Sequence, residues 1–291
     1  EYTTVFPFLK DRISVGGRQW VEELGPHRCR LHARVTVSVR VPAVGATVER
    51  GIEIPVTLEK PYSIDENIWG CAIECGEMED LWAEPPDDAW MMTKDPANAP
   101  RGSIEVMLSF ENGVPVAIDG RKMGGVELIT YLNDLAGTFG VGRIDMVENR
   151  VVGLKSREVY EAPAATLIHM AHTELERICL DRETFNYKRK LSQDYEKIIY
   201  DGTWYGPLRE CLESFLLKSQ ETVCGDVRLR VSAGLARITG RRSPYSLYDE
   251  GLATYSEGDT FDRNAAEGFM ELFGLSYRTV AQVRKRMQEQ K

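Results

Sequence analysis

The feature that most constrains the fold of this chain is the pair Asn112-Gly113, which lies between two short apolar runs at 104–110 and 114–118. Asn-Gly is the pair that two-residue hairpin turns prefer, because both turn positions need a positive φ. Valine and leucine also alternate with arginine at 227–231, just before a turn at Gly234. The sequence therefore predicts antiparallel strands with one buried face.

The N-terminal region shows the same alternation of apolar and polar residues, but its net charge is positive, unlike that of the whole chain. Val35, Val37, Val39 and Val41 alternate with polar residues, and 52–58 is a second strand candidate, whereas the first ten residues predict a short helix or a strand end. Residues 11–50 contain seven arginines and four acids, a net charge of +3. We interpret this excess as a solvated strand face, with anion binding as the alternative.

Helical spacing of apolar residues predicts helices downstream of the first hairpin. The clearest begins at Pro163 and carries an apolar stripe consisting of Ala164, Leu167, Ile168, Ala171, Leu175, Ile178 and Cys179. Further helices are predicted near 126–137, 207–218, 263–273 and 277–290. The last has too little apolar surface to form a core, so we expect it to pack on another subunit. Strands and helices are segregated, which predicts an α+β fold.

Composition excludes several classes of protein. The 291 residues are 43% hydrophobic and 28% charged, the balance of a globular protein. No apolar run approaches the roughly 20 residues of a membrane helix. The net charge of −9 argues against a nucleic-acid or membrane partner. The opening residues lack a basic and apolar leader, which favours the cytoplasm, and the missing initiator methionine suggests a fragment or a processed chain.

Cysteine and histidine spacing gives no metal site. Six cysteines in a chain of this length predict reduced thiols, and no second pair follows Cys71 and Cys75 at a zinc-site distance. His169 and His172 lie three apart, whereas a zinc-protease helix uses a four-residue spacing. We therefore expect packing or surface histidines and no metal ligands.

Three polar clusters remain as candidate sites, at 62–67, 142–163 and 240–248. The second meets the start of a predicted helix, whose free N–H groups favour an anion. Structural ion-pair turns are the alternative for all three. No dinucleotide fingerprint, P-loop lysine or nucleophile elbow appears. From the residues alone, the sequence predicts an α+β domain with polar pockets.

At these clusters the chain resembles the argininosuccinate synthase family. The matching stretches are KPYSIDEN at 60–67, GVGRIDMVENRVVGLKSREVYEAPAATL at 140–167, LDRE at 180–183, YDGTWYGPLRE at 200–210, KSQETVCGDVRLRV at 218–231 and GRRSPYSLYDE at 240–250. The resemblance covers about residues 51–291. The opening ten residues also resemble a segment of that family's N-terminal, nucleotide-binding half.

The resemblance implies a cytoplasmic carbon–nitrogen ligase of arginine biosynthesis and the urea cycle. Such an enzyme joins L-citrulline to L-aspartate while ATP, with Mg²⁺, is cleaved to AMP and pyrophosphate. It also implies a homotetramer with a C-terminal oligomerisation helix. By this comparison, residues 59–291 form the synthetase and oligomerisation domain, and residues 1–58 are a remnant of the α/β nucleotide-binding domain.

The resemblance also assigns citrulline contacts, and no covalent catalytic residue. Ser63 would offer a hydroxyl, Glu148 would bind the α-ammonium, and Tyr160 would offer a phenol hydroxyl. A fourth family contact is a serine, where this chain has Ala72, so only the backbone could act there. An ion pair of Glu148 with Arg143 or Arg150 is the structural alternative.

Two family motifs are missing from the sequence. An SGGLDTS-type phosphate loop is absent, and an STGKGNDQ-type run that should fall within 11–50 is not there. One hypothesis is that 11–50 is read out of frame or is a divergent replacement in a truncated product. We therefore expect this chain to keep part of the citrulline site without the ATP and aspartate cradle.

Two alternatives to the ligase remain open. A non-catalytic fragment that acts as an assembly or regulatory subunit would carry the same motifs. A different adenylating amide ligase would need the same missing phosphate loop, and no motif in the chain favours it.

Overall fold

The computed structural model describes residues 62–254, 258 and 260–290 with their side chains, and the strand backbone of 2–5, 13–25, 28–40 and 47–57. Within these residues the chain forms strands and seven α-helices. The strands are β1 (Tyr2–Val5), β2 (Ile13–Gly25), β3 (Arg28–Arg40), β4 (Thr47–Thr57), β5 (Ser63–Asn67), β6 (Gly70–Glu74), β7 (Ser103–Glu111), β8 (Val114–Ile118), β9 (Arg121–Lys122), β10 (Arg143–Asn149), β11 (Lys155–Glu161), β12 (Gly225–Ser232) and β13 (Leu235–Arg242). The helices are α1 (Gly125–Thr138), α2 (Pro163–Cys179), α3 (Arg182–Tyr200), α4 (Pro207–Gln220), α5 (Glu250–Ala253), α6 (Ala265–Phe273) and α7 (Leu275–Glu289).

The strands form three sheets, with the orders β1-β2-β3-β4, β10-β11-β6-β5 and β13-β12-β7-β8-β9. Every neighbouring pair in the first two sheets is antiparallel. The Asn112-Gly113 turn joins β7 to the antiparallel β8, and both turn residues have positive φ, at 49° and 77°. The α+β prediction is confirmed.

The apolar positions predicted from the sequence of α2 and β12 are largely buried in the core. In α2, Ala164, Leu167, Ala171, Leu175 and Cys179 are buried. In β12, Val227, Leu229 and Val231 are buried, and the intervening Arg228 is exposed. These patterns succeed because burial selects apolar side chains at the period of each element.

One local prediction is wrong, and one helix was not predicted. The turn predicted at 60–67 is strand β5 over Ser63–Asn67, and all five of its residues are exposed. An edge strand with no buried face shows no alternation of apolar and polar residues. Its polar composition is therefore the same as that of a turn. Helix α3 was not predicted. Of its nineteen residues only Leu191 and Ile198 are buried, and the Asp181 carboxylate caps its start by accepting from the backbone N–H groups of Glu183 and Thr184.

The N-terminal strands extend the expected pattern. Strand β3 confirms the alternating segment up to Arg40, and β4 confirms the second candidate up to Thr57. Val41, Leu58, the pair Lys60-Pro61 and residues 6–10 lie outside the described residues, and of Cys29 only the strand backbone is described. The assignment of residues 1–58 to a nucleotide-binding remnant stays a prediction.

The chain divides into two compact units. The first comprises Glu1–Ile104, Ile129–Leu167 and Val231–Ala236, and the second comprises Glu105–Leu128, Ile168–Arg230 and Arg237–Lys291. Beneath the sheet β10-β11-β6-β5, the first unit has a core that consists of Tyr62, Cys71, Ile73, Met78, Ala89 and Val159. This core covers one face of the sheet, and the polar side chains described in the next section lie on the opposite face.

A buried polar network joins three helices of the second unit. Glu176 of α2 accepts from Lys188 of α3 and from Gln220 of α4, both at 2.8 Å. His172 lies 2.8 Å from the Gln220 Oε1 atom and 3.8 Å from Glu176. His172 is therefore a packed structural histidine, and His169 is exposed.

Candidate functional site

The candidate site lies on the polar face of the sheet β10-β11-β6-β5. Tyr160 on β11 pairs with Ala72 on β6, and Glu158 pairs with Glu74. Paired residues, and residues two apart on one strand, project from the same face of a sheet. Ser63 pairs with Glu74, and Glu148 pairs with Ser156. The register therefore places all four residues assigned by the family resemblance, which are Ser63, Ala72, Glu148 and Tyr160, on one face.

Tyr160 and Glu148 touch. The phenol oxygen of Tyr160 lies 2.7 Å from Glu148 Oε2 and 2.6 Å from Glu158 Oε2. Burial, together with the hydrogen bonds to these two carboxylates, raises the pKa of Tyr160 well above its usual value. The phenol therefore stays protonated and acts as a hydrogen-bond donor.

One guanidinium serves three carboxylates at this face. Arg150 pairs with Glu74 and Glu158, and its Nε atom lies 3.6 Å from Glu148 Oε1. The structural alternative for Glu148 is thus present with Arg150, but the pairing is shared. With all four groups ionised, the cluster keeps a net charge of −2. We call Glu74, Glu148, Arg150, Glu158 and Tyr160 the acidic cluster.

Glu158 is the most enclosed carboxylate of the acidic cluster. Its side chain is 6% exposed, against 14% for Glu148 and 27% for Glu74. Burial is the main cause that raises the pKa of Glu158; the neighbouring carboxylates add to the rise, whereas Tyr160 and Arg150 oppose it.

Ser63 lies apart from the Tyr160–Glu148 contact, whereas Ala72 lies beside it. Ser63 is exposed on edge strand β5, separated from β11 by β6, a distance of about two strand spacings or ~10 Å. Ala72 is half-buried directly opposite Tyr160. The structure therefore brings Glu148 and Tyr160 together and leaves Ser63 two strands away on the same face. Their roles as citrulline ligands stay predictions.

The opposite face of β11 anchors the site. Glu161 is fully buried and accepts from the backbone N–H groups of Met91, Met92 and Thr93 at 2.7 to 3.0 Å. Arg143 donates to the Thr93 hydroxyl at 2.7 Å and lies over the Trp90 ring. These contacts fix a loop to the strand that presents Tyr160.

Arg157 anchors the neighbouring loop. Its guanidinium binds both carboxylate oxygens of Asp145, at 2.9 and 2.6 Å, and donates to the carbonyls of Met78, Asp80 and Ala83. The hydrogen bond from Arg157 lowers the pKa of Asp145. Charge-assisted, two-point contacts of this kind are strong and directional.

Sequence reasoning missed Glu74 and Glu158 as members of the site. The signal was available in the string Glu158-Val159-Tyr160, because residues two apart on a strand share a face. Using it required knowing that the segment is a strand and which strand lies beside it. Only the first of these can be inferred from the sequence.

The polar cluster at 240–248 contains ion pairs in the second unit. Arg241 pairs with Glu174 at 2.6 Å, and Arg242 pairs with Asp226 at 2.8 Å. A shallow cavity of about 260 Å³ lies here, and its lining includes Arg228 and Gly240. The ion-pair interpretation describes Arg241 and Arg242, since each has an acidic partner.

Among the described residues, no group of three or more histidine, cysteine or acidic side chains is arranged to hold a metal. No helix in those residues is both long and apolar enough to cross a bilayer. Cys71, Cys75, Cys179, Cys211 and Cys224 are free thiols.

Comparison with known proteins gives one family. The family model described as arginosuccinate synthase C-terminal domain matches residues 62–280, which include every residue of the acidic cluster. The argininosuccinate synthase of Chlorobium luteolum is 51% identical over 236 residues, which cover 81% of this chain and 59% of that protein. Those of Chlorobium chlorochromatii and Pelodictyon phaeoclathratiforme are each 51% identical, over 84% of this chain and 62% and 61% of theirs. The chain thus spans about three fifths of the length of these relatives.

Proposed function

This chain belongs to the argininosuccinate synthase family, and we propose that its acidic cluster binds L-citrulline for the ATP-dependent ligation of citrulline to L-aspartate. In this proposal the protein is a cytoplasmic ligase of arginine biosynthesis. The products would be argininosuccinate, AMP and pyrophosphate.

The observation that supports citrulline binding is the charge of the acidic cluster. Three carboxylates share one guanidinium and leave a net charge of −2 on a partly enclosed face. Carboxylate oxygens accept hydrogen bonds and attract cations, so the excess of carboxylates among the described residues of this face suits a cationic guest. The α-ammonium of an amino acid supplies that charge and can donate three hydrogen bonds.

In this proposal each polar residue of the sheet face positions a different part of citrulline. Glu148 would accept from the α-ammonium, and Tyr160 and Ser63 would add hydroxyl contacts. The ureido oxygen of citrulline would then be held for attack on the α-phosphorus of ATP, and the aspartate amine would displace AMP. Orientation of this kind can lower the activation barrier of the reaction by several kcal/mol, and it needs no protein nucleophile.

The described residues of the acidic cluster do not suit the triphosphate of ATP, and they are not arranged to hold a metal ion. A net negative face repels phosphate, and its one arginine already pairs with three carboxylates. We therefore assign no step of the phosphoryl chemistry to this cluster.

We also propose that the C-terminal helices join subunits of a homotetramer. Large apolar side chains are exposed on α6 and α7, among them Phe269, Leu272, Phe273, Val280, Val283 and Met287. Phe269 and Phe273 stack on each other, with ring centres 5.1 Å apart. An exposed apolar surface of this extent is typical of an interface. Sedimentation of the purified chain would test the proposal, which a monomer at micromolar concentration would contradict.

Calorimetry with L-citrulline tests the proposed site. We expect binding by the wild-type chain and loss of measurable binding in Glu148→Gln, which removes one carboxylate charge. Glu111→Gln is the matched control, because Glu111 is exposed in a different sheet and pairs with Lys122. No binding by the wild-type chain, or full binding by Glu148→Gln, would refute the proposal.

The second candidate is a non-catalytic assembly or regulatory subunit, which the exposed apolar helices α6 and α7 favour. The proposed citrulline site does not require this chain to turn over by itself, because the phosphate-loop motif is missing from its sequence. We therefore expect no detectable pyrophosphate release from ATP, citrulline and aspartate with this chain alone. Citrulline-dependent release would refute that expectation and exclude the non-catalytic subunit.

A further inference from the structure

Tyr160 sits between two carboxylates and has one proton to give. Its phenol oxygen lies 2.6 Å from Glu158 Oε2 and 2.7 Å from Glu148 Oε2. Both distances are those of O–H···O hydrogen bonds, and each such bond needs its own proton. Two ionised carboxylates offer only acceptors. A second proton in the Glu148–Tyr160–Glu158 triad would give each of the two contacts its own hydrogen bond.

We propose that Glu158 is a positioning residue of the amino-acid site, which holds this second proton in the free protein and releases it when the substrate ammonium binds. The inference rests on the proposed function, because it names the guest that displaces the proton. It assigns to Glu158 a role that the resemblance did not give.

The position of Glu158 makes it the proton carrier. It lies on β11, which has a neighbouring strand on both sides, and its side chain is 6% exposed. Among the described residues, the charged and titratable groups around it are Glu148 and Arg150 from β10 and its end, Glu74 from β6, and Tyr160 from β11 itself. Two of these four are carboxylates, and Arg150 is shared between them and Glu158. Burial and acidic neighbours both favour the neutral carboxyl.

Protonation of Glu158 would set the direction in which the phenol donates. A neutral Glu158 donates its proton to the phenol oxygen of Tyr160, so the phenol O–H turns to Glu148. When the proton leaves to solvent, Glu158 becomes an acceptor and the phenol donates to it. The phenol proton then no longer occupies Oε2 of Glu148, and this oxygen accepts from the ammonium.

The local charge is the same at both ends of this exchange. The acidic cluster has a net charge of −2 with all groups ionised, and a proton on Glu158 changes it to −1. An ammonium bound to the fully ionised cluster also gives −1. Exchange of a proton for the guest therefore avoids enclosing extra negative charge. A ligand without an ammonium has no means of displacing the proton.

A titration of the free protein tests the proton itself. Carbon-13 signals of the glutamate carboxyl groups would be followed with pH in the wild-type chain, Glu158→Gln and the control Glu111→Gln. We expect one glutamate to titrate clearly above the usual value of about 4.3, and this signal to be missing only in Glu158→Gln. If no glutamate titrates high, or if the high signal persists in Glu158→Gln, the proposal is wrong.

Calorimetry in buffers of different ionisation enthalpy tests the exchange. We expect about one proton to be released per L-citrulline bound by the wild-type chain, with affinity rising with pH until Glu158 is ionised. Glu158→Gln should bind with no proton release and with an affinity that does not change over the same pH range. Unchanged proton release in that variant would overturn the proposal. Absence of any citrulline binding would refute the proposed function, while the titration would still decide whether Glu158 holds the proton.

Discussion

Thr93 donates both its backbone N–H and its hydroxyl to the same oxygen of Glu161, at 2.8 and 2.6 Å. The other carboxylate oxygen accepts from the N–H of Met91 at 2.7 Å. Glu161 is fully buried and follows Tyr160 directly in the chain. The loop at 91–93 and the candidate site are therefore fixed by consecutive residues of one strand.

Glu161→Gln should destabilise the protein by about 2–4 kcal/mol, because an amide would place a donor against groups that are all donors. Urea denaturation monitored by tryptophan fluorescence measures the free energy of unfolding. Glu111→Gln, an exposed acid, should change it by less than about 0.5 kcal/mol. Equal stability of the Glu161→Gln and wild-type proteins would show that the loop is held by other contacts.

Gly142→Ala should cost about 3 kcal/mol of stability. Gly142 has φ of 107°, and an added Cβ would lie 2.6 Å from the Cα atom of Pro163, a backbone atom that cannot rotate away. Gly153→Ala is the control. Its φ is 87° but nothing lies within 4 Å of an added Cβ, so only the cost of about 1 kcal/mol for the backbone remains. Equal losses in the two variants would exclude the close approach as a cause.

Arg157→Lys should loosen the loop that carries Trp82. A lysine cannot bind both oxygens of Asp145 and also the backbone carbonyls that Arg157 reaches. We therefore expect the free energy of unfolding to fall by about 2 kcal/mol. Trp82 is 97% exposed, which makes it a cleavage site for chymotrypsin. Faster cleavage after Trp82 in the variant would support the anchor. An unchanged cleavage rate would contradict it.

His172 should make the protein less stable below about pH 6.5, the usual histidine pKa. Burial is the main cause that lowers the pKa of His172 in the folded protein. The unfolded chain therefore binds a proton first as the pH falls, and the free energy of unfolding falls with it.

His172→Gln should reduce the difference in unfolding free energy between pH 7.5 and 5.5. His169→Gln, at an exposed position on the same helix, removes only the smallest contribution to the lowered pKa of His172 and should change that difference less than His172→Gln does. Urea denaturation at the two pH values measures it. An equal pH dependence in all three proteins would assign it to other groups.

Ala72→Ser should strengthen citrulline binding by up to about tenfold, which corresponds to one added hydrogen bond. Ala72 pairs with Tyr160, and the family pattern has a serine there. Ser63→Ala is the reciprocal test and should weaken binding severalfold, as measured by calorimetry. An unchanged affinity in Ala72→Ser would place the ligand away from β6.

Sequence patterns predicted the elements whose one face is buried. The stripe of α2, the alternation of β12 and the Asn112-Gly113 turn each carry a local signal that matches the tertiary structure. They failed for β5 and α3. Ser63–Asn67 is exposed throughout, and α3 depends on the Asp181 cap and on the Lys188–Glu176 ion pair, which no periodicity reports.

The candidate site was only partly predictable for a related reason. Family resemblance identified Glu148 and Tyr160, and the structure shows them in contact. Glu158 and Glu74 lie beside them because β11 pairs with β6. These two glutamates are 84 positions apart in the chain. Such a pairing depends on the whole sheet, and no local pattern determines it.

The alternation of β11 limits how this part of the chain can change in length. Glu158 and Tyr160 point to one face, whereas Arg157, Val159 and Glu161 point to the other. Deletion or insertion of a single residue within the strand would exchange the two sets, so that anchors faced solvent and acids entered the core. Length variation in natural or engineered homologues should therefore be confined to the hairpin tip at 151–154, where Val151, Val152 and Leu154 are exposed.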